Sequence, residues 1–488
     1  MKNALLSALC LAVFWPVWSQ PEAFTARFYE TYDQYREPAL GKRRISHADL
    51  QPLIDRVAEQ PGFEVRQVGT SIEGRALRLI SFGSGETDIF LWSQMHGDEP
   101  TATQALFDIL NFFNAPEFTA EKAELLTKVR IHMLPMLNPD GAERFQRRNT
   151  LGIDINRDAL RLQSPEGRTL KRVRDSLDAE FGFNLHDQSR YYNAQRTPKP
   201  ATISYLAPAY NYEKEVNEVR GRAIRVIGYM NRILQTYAPG QVGRYNDDFE
   251  PRAFGDNIQK WGTSAILIES GGYPGDPEKQ EIRKLNYVSI LSAIYAIGSE
   301  SYRDIGEEAY WEIPENDRML FDLKITGVTY PLLGEKYILD LGIHRLEVEI
   351  PEKRDFWYSS RIIDQGDLST YYGYETLDAD GLILEPGRVY PEVVATPEAA
   401  AGLDFSDLLA RGITYVRVAR LPDKILWTEL PVHLVSSGFE VPDGEVNVGM
   451  NPTFLLVRDG MVVHTVVNGF VYQPGDRVPE GHNSLIYR

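Results

Sequence analysis

The chain has 488 residues, more than one hydrophobic core serves, because single cores stop growing at about 250–300 residues; two domains are expected. Its 43% hydrophobic and 25% charged residues lie in the ordinary globular range and exclude a chain too polar to fold. The formal net charge of −17 disfavours nucleic acid as a partner, since phosphate binding needs a basic surface.

Residues 1–19 read as a secretory signal peptide. Lys2 gives a positive start, residues 4–17 are apolar around Cys10, and Val17 and Ser19 are small enough for a cleavage site before Gln20. The stretch is short for a membrane span, and no later segment is apolar for long enough to make one. The expectation is an exported protein, periplasmic or secreted. Cys10 is the only cysteine, so the mature chain would carry no disulfide.

The region 20–298 alternates strands and helices. Residues 88–95 read as a buried strand and 101–113 as a helix. Residues 128–137 form a second strand, stopped by Asn138-Pro139-Asp140-Gly141. Ser164-Pro165-Glu166 opens a helix toward Ala179, with a capping residue before a proline at the first helical position. Residues 212–237 make a long amphipathic helix, 264–269 a short apolar strand ended by Gly271-Gly272, and 277–297 a closing helix. This pattern predicts an α/β domain with a mixed, mostly parallel sheet and helices on both faces. Residues 299–318 are charged, contain a proline and are read as a linker. Beyond them, 319–488 carry short β-like runs at 337–341, 344–350, 414–418, 425–430, 453–458 and 461–467, several parted by Asp-Gly or Asn-Gly turns. A smaller, mostly-β accessory domain follows. Its segments 378–387 and 454–471 resemble the β-sandwich flanking many amidohydrolases, but no metal-binding barrel lies between them.

Three apolar strands end on metal-capable groups. The first runs into His96-Gly97-Asp98-Glu99, residues 181–185 lead directly to His186, and the strand at 264–268 ends on Glu269. Strand ends of an open α/β sheet gather at one crevice. Two imidazoles and a carboxylate suit a catalytic zinc, leaving its fourth position for water, and a further carboxylate is suited to general-base work. His132 falls inside a strand and reads as packing. Histidines 344, 433, 464 and 482 lack ligand spacing.

Between the ligands stand Asn138-Pro139-Asp140-Gly141, Arg147-Arg148 and Gly152-Ile153-Asp154-Ile155-Asn156-Arg157-Asp158. With these the sequence resembles the zinc metallocarboxypeptidase family of the carboxypeptidase A type. The resemblance covers roughly residues 24–298 and none of the second domain. It implies one zinc ion held by His96, Glu99 and His186, with Glu269 as general base and Arg147 as the oxyanion's partner. It also implies that Asn156 and Arg157 clamp the terminal carboxylate of a peptide substrate, and that Asp154 orients a ligand histidine, His96. Arg148 replaces Arg147 if the register shifts by one. Tyr245 is the candidate for the family's mobile tyrosine, with Tyr273 as an alternative. Asp158 departs from the family's usual asparagine, placing an extra charge beside the clamp. Asp256 lies in the stretch expected to form the side-chain pocket. The implied activity is an exported zinc carboxypeptidase. A zinc deacylase or amidase acting on acyl-amino acids or cell-wall peptides, and a silent binding protein, are the alternatives. Oligomeric state is not readable.

Overall fold

The structure, a computed structural model, describes residues 21–350, 354–442, 445–477, 479 and 481–488. The expected signal peptide, with Cys10, lies outside the described residues.

The apolar runs of the first region assemble into one eight-stranded sheet. Its strands are β1 (Phe63–Thr70), β2 (Ala76–Gly83), β3 (Thr87–Ser93), β4 (Val129–Leu134) and β5 (Phe181–Asp187). A two-residue β6 (Asn193–Ala194) stands apart, and β7 (Ile203–Leu206), β8 (Val242–Arg244) and β9 (Ser264–Ser270) complete the sheet. The spatial order is β1-β2-β4-β3-β5-β9-β7-β8. The centre, β4-β3-β5-β9, is parallel, as is β7-β8, while β1-β2, β2-β4 and β9-β7 are antiparallel. The central strands are buried on both faces, which is why they read as unbroken apolar runs. Period-two alternation divides β3 between two cores. Ile89 and Leu91 join the helices Thr101–Asn114, Glu218–Tyr237 and Gln280–Gly298 on one face. Phe90 and Trp92 join Leu170 and Val173 of Pro165–Leu177 and Phe254 and Ile258 of Phe254–Lys260 on the other.

Two helices begin later than their periodicity suggested. The helix predicted from residue 212 starts at Glu218, where the Asn217 side chain accepts from Arg220 N at 2.9 Å. The helix predicted from 277 starts at Gln280, where Asp276 accepts from the amides of Gln280 and Glu281. Residues 299–318, read as a linker, pack back on the first region: Tyr302, Tyr310 and Ile313 are buried in its larger core. At its end β10 (Asn316–Asp317) pairs antiparallel with β6.

The remainder is mostly β, as expected. A long meander runs through β11 (Leu320–Leu332), β12 (Glu335–Ile350) and β13 (Asp355–Gly366), and β14 (Tyr372–Asp378) lies parallel to β11. The two runs expected at 337–341 and 344–350 are the single strand β12. Gly342 lies between them, at a point where a Cβ would lie 2.4 Å from the Phe321 ring. Of 425–430 only Trp427–Thr428 is strand. The segments 378–387 and 454–471 meet in this sheet, where Ile383–Pro386 pairs antiparallel with Phe454–Arg458. A second, five-stranded sheet carries the short helices Pro397–Ala400 and Phe405–Ala410 against Val416, Leu434 and Ile486. Among the described residues no helix is long and apolar enough to cross a membrane.

Candidate metal centre

The parallel register sets the ends of β5 and β9 side by side, with His186 directly opposite Glu269. The chain leaving β3 turns through Gln94, in the left-handed region at φ 51°, before reaching His96. The His96–Glu99 turn then lies against the backbone of the helix Pro139–Glu143. A Cβ on Gly97 would meet Gly141 C at 2.1 Å and Ala142 N at 2.3 Å. That helix is fixed at its start by Asn138, whose side chain accepts from Gly141 N at 3.0 Å. Asp140 is fully buried and accepts from Ser71 Oγ at 2.7 Å and Glu73 N at 3.0 Å. The N-P-D-G segment therefore serves as a platform under the turn.

His96, Glu99 and His186 converge, and among the described residues they form the one buried group of three suited to hold a metal. Glu99 bridges the imidazoles: His96 Nδ1 is 2.8 Å from its Oε1 and His186 Nδ1 is 2.7 Å from its Oε2. The two Nδ1 atoms are 3.2 Å apart. Two nitrogens on one tetrahedral zinc, each at 2.0–2.1 Å, would be about 3.3 Å apart, so the donor set fits that ion. His96 Nε2 faces Asp154 Oδ1 at 3.1 Å, an arrangement that leaves Nδ1 as the metal-facing nitrogen. Burial would raise Glu99, but the flanking imidazoles hold it well below the ordinary carboxylate range. Burial would also raise Asp154, but His96 and then Arg147 hold it down. His186 is pushed down by burial.

Glu269 is buried beside this group, and its Oε2 has no hydrogen-bond partner within the protein. Burial, then the charges of Glu99 and Asp187, push its carboxyl well above the ordinary range. Arg147 closes the group from its open side: Nη1 lies 3.0 Å from His96 Nδ1 and 3.3 Å from Glu99 Oε1, and Nε donates to Asp154 Oδ2 at 3.0 Å. Arg148 instead points away and donates to Gly152 O at 2.9 Å. Asn156 Oδ1 accepts from Phe254 N at 2.9 Å, and Arg157 Nη1 donates to Asn156 O at 2.7 Å with Nε 3.3 Å from Glu250. The Arg157 fork stays partly exposed.

Tyr245 packs edge-on against Tyr192 at 6.1 Å. Its hydroxyl is pushed up by burial and by the Glu269 charge. Tyr273 sits elsewhere, on a cavity between the two halves of the chain. Asp158 does not face the clamp. Its carboxylate accepts from Gln163 N, Ser164 N and Ser164 Oγ at 2.7–2.8 Å, fixing the start of the next helix. Asp256 accepts from Glu250 N at 3.0 Å and is pushed up to about 7 by burial. His132 bonds Ser81 and Asp88 away from the site.

Two groups carried no motif. Asp187 accepts from Thr101 Oγ1 at 2.5 Å and from Lys279 Nζ at 3.0 Å, while its own amide donates to Glu99 Oε2 at 3.2 Å. Lys279 Nζ also donates to Ser270 O at 2.9 Å, tying the ends of β5 and β9 together. The only signal was position: Asp187 follows His186, and Lys279 lies ten residues beyond Glu269.

Residues 51–158 match the family model described as zinc carboxypeptidase, a span that includes His96, Glu99, Arg147, Asp154, Asn156 and Arg157. A probable carboxypeptidase 2 from Trichophyton verrucosum is 31% identical over 131 residues, 26% of this chain and 24% of its own length. Carboxypeptidase B from Astacus astacus is 23% identical over 302 residues, 58% of this chain and 86% of its own. The chain spans less than half the length of the first curated relatives that it matches. A solved metallo-carboxypeptidase from Burkholderia cenocepacia superposes with a TM-score of 0.44 at 15% identity, over 53% of this chain and 70% of that one.

Proposed function

We propose, from the match of residues 51–158 to the zinc carboxypeptidase family, that the protein is an exported zinc-dependent carboxypeptidase that removes residues from the free C-terminus of peptides. The observation that carries this reading is the convergence of His96, Glu99 and His186 beside a buried carboxyl, Glu269, whose Oε2 has no partner in the protein. Zinc held by that triad would polarise the scissile carbonyl and acidify water at neutral pH.

The chain's own residues supply the rest. Glu269 Oε2 takes the proton of the attacking water and returns it to the departing nitrogen. A carboxyl held high by burial and by neighbouring charge is suited to both halves of that transfer. The Arg147 guanidinium faces the place where negative charge develops on the carbonyl oxygen, and Asp154 fixes its direction. Arg157 offers a planar fork to the substrate's terminal carboxylate, and Asn156 stands beside it, anchored through Phe254 N. Tyr245 lines the side nearest Glu269. Asp154 holds His96 in one tautomer, which keeps the donor set in register.

The test is mass spectrometry of a mixed peptide library incubated with the zinc-loaded protein, each peptide having a free or an amidated C-terminus. Stepwise loss of residues from free C-termini alone is expected. Internal cleavage, or hydrolysis of acyl-amino acids with intact peptides, would overturn the proposal.

A further inference from the structure

β10 and the C-terminal sheet together grip the segment that follows His186. Gln188 Oε1 accepts from Asn316 Nδ2 at 2.8 Å. Arg190 pairs with the fully buried Asp322, and Tyr191 OH donates to Asp322 Oδ2 at 2.9 Å. The Tyr191 ring lies flat on His344, with centroids 3.5 Å apart. Asn193 Oδ1 accepts from Met319 N at 3.0 Å. Tyr374 OH donates to Arg190 O at 2.5 Å, and a Cβ on Gly272, three residues past Glu269, would lie 2.2 Å from the same hydroxyl. Asp322 itself is fully buried and also accepts from Arg345 N at 2.6 Å, so its place on β11 is fixed. The same segment carries Tyr192, whose ring meets Tyr245 edge-on, and the Tyr245 hydroxyl lies in the field of Glu269. A series of contacts thus runs from the second region to Tyr245, whose hydroxyl lies in the field of Glu269.

We propose that Asp322 and Tyr374 are positioning residues for substrate binding: through residues 188–192 they hold Tyr192 against Tyr245 beside Glu269, so that the C-terminal β region is part of the working site. This rests on the peptidase reading above. A loose tether on Tyr245 costs substrate binding rather than metal, because none of the three metal-capable residues touches Asp322 or Tyr374 by hydrogen bond.

The experiment uses the full-length, zinc-loaded chain and a peptide with a free C-terminus. Tyr374→Phe and Asp322→Asn are each expected to raise KM roughly tenfold, with kcat changed little and one metal retained per chain. In a double-mutant cycle, Tyr374→Phe and Tyr245→Phe are expected to be non-additive in KM. Hydrogen exchange over residues 187–194 and 242–250 is expected to quicken in both single variants. Unchanged KM with unchanged exchange in Tyr374→Phe, or strict additivity with Tyr245→Phe, would overturn the proposal, and Tyr374→Phe decides it if Asp322→Asn does not fold. If the parent chain cleaves no peptide, the activity reading fails. Exchange then decides the tether by itself: quickening upholds it and no change overturns it.

Discussion

Gly97→Ala tests the idea that the metal centre is held from below by backbone against backbone. Gly97 has no left-handed φ, so alanine meets no conformational penalty there and only the added methyl matters. That methyl would lie 2.1 Å from Gly141 C, 2.3 Å from Ala142 N and 2.6 Å from Gly141 Cα. All three are main-chain atoms of a helix pinned by Asn138 and Asp140, so no flexible side chain can yield. The His96–Glu99 turn must therefore retreat by about 1 Å, since real Cβ contacts rarely come closer than 3.0 Å. Overpacking of this kind costs about 1–3 kcal/mol of stability. The effect on the site is larger in proportion. A catalytic constellation tolerates about 0.5 Å, and a 1 Å misplacement costs on the order of 10²-fold. The variant is expected to lose metal to a competing chelator at least tenfold more readily (about 1.4 kcal/mol), and to show roughly 10²-fold lower kcat when metal is saturating. Gly41→Ala, whose Cβ would meet only Pro38 O at 3.9 Å, is the control and should change neither. If Gly97→Ala binds metal and turns over like the parent, the platform argument is wrong.

The remaining predictions address the carboxyl, the clamp and the acid limit of the fold. Glu269→Gln keeps the side chain's shape and is expected to lower kcat by about 10²–10⁴ while one metal per chain remains, read by metal analysis and steady-state kinetics; full activity would remove Glu269 from proton transfer. Arg157→Ala should raise KM about 10–100-fold for peptides with free C-termini and leave amidated peptides unchanged, so an equal loss on both would contradict the clamp. His433 is fully buried, accepting from Leu485 N at 3.0 Å and lying 2.7 Å from Thr453 Oγ1, and burial pushes it down to about 3. Its native value lies below its unfolded value of about 6.5, so the unfolded chain alone takes up the proton as pH falls. Stability from the neutral ring is complete above about pH 6.5 and declines toward pH 3, by roughly 2 kcal/mol at pH 5. Urea titrations at pH 7 and 5 should show that loss in the C-terminal region and show it reduced in His433→Gln; the same slope in both proteins would refute the assignment.

The site's metal-capable residues were legible because the fold makes them so. The strands β3, β5 and β9 are buried on both faces, so their apolar runs end abruptly where the chain meets the crevice, and His96, His186 and Glu269 stand at those ends. Edge elements gave a weaker signal. On β1 no residue is fully buried, and nothing in its pattern separated it from a loop. The stretch 299–318 looked like a linker because its charges outnumber its apolar residues, yet three spaced side chains, Tyr302, Tyr310 and Ile313, are buried and anchor it to the first region. Helix starts were missed for a related reason. Asn217 and Asp276 stop the helices by accepting backbone amides, and that local competition is invisible to a hydrophobic period.

The roles of charged residues were the hardest to read, because sequence shows a charge but not the partner that consumes it. Asp158 stands next to Arg157 and reads as an extra charge beside the clamp, but its oxygens are occupied by Ser164 and Gln163, which ties it to the start of a helix instead. Asp322 shows the reverse. It sits in an unremarked β run 132 residues beyond Arg190, and no local pattern links the two. Only the packing of β11 against residues 188–194 makes it the buried partner of Arg190 and Tyr191. A buried ion pair repays its desolvation only where further hydrogen bonds satisfy both partners, and removing one member leaves a costly unpaired charge. Asp322 meets that condition with Tyr191 OH and Arg345 N, while the Arg190 side chain keeps part of its surface in water and its backbone carbonyl accepts from Tyr374 OH. These bonds join the C-terminal β region to the segment that follows His186. On the proposed tether, part of the mostly-β region would stand behind the wall of the candidate site, a placement that composition alone did not suggest.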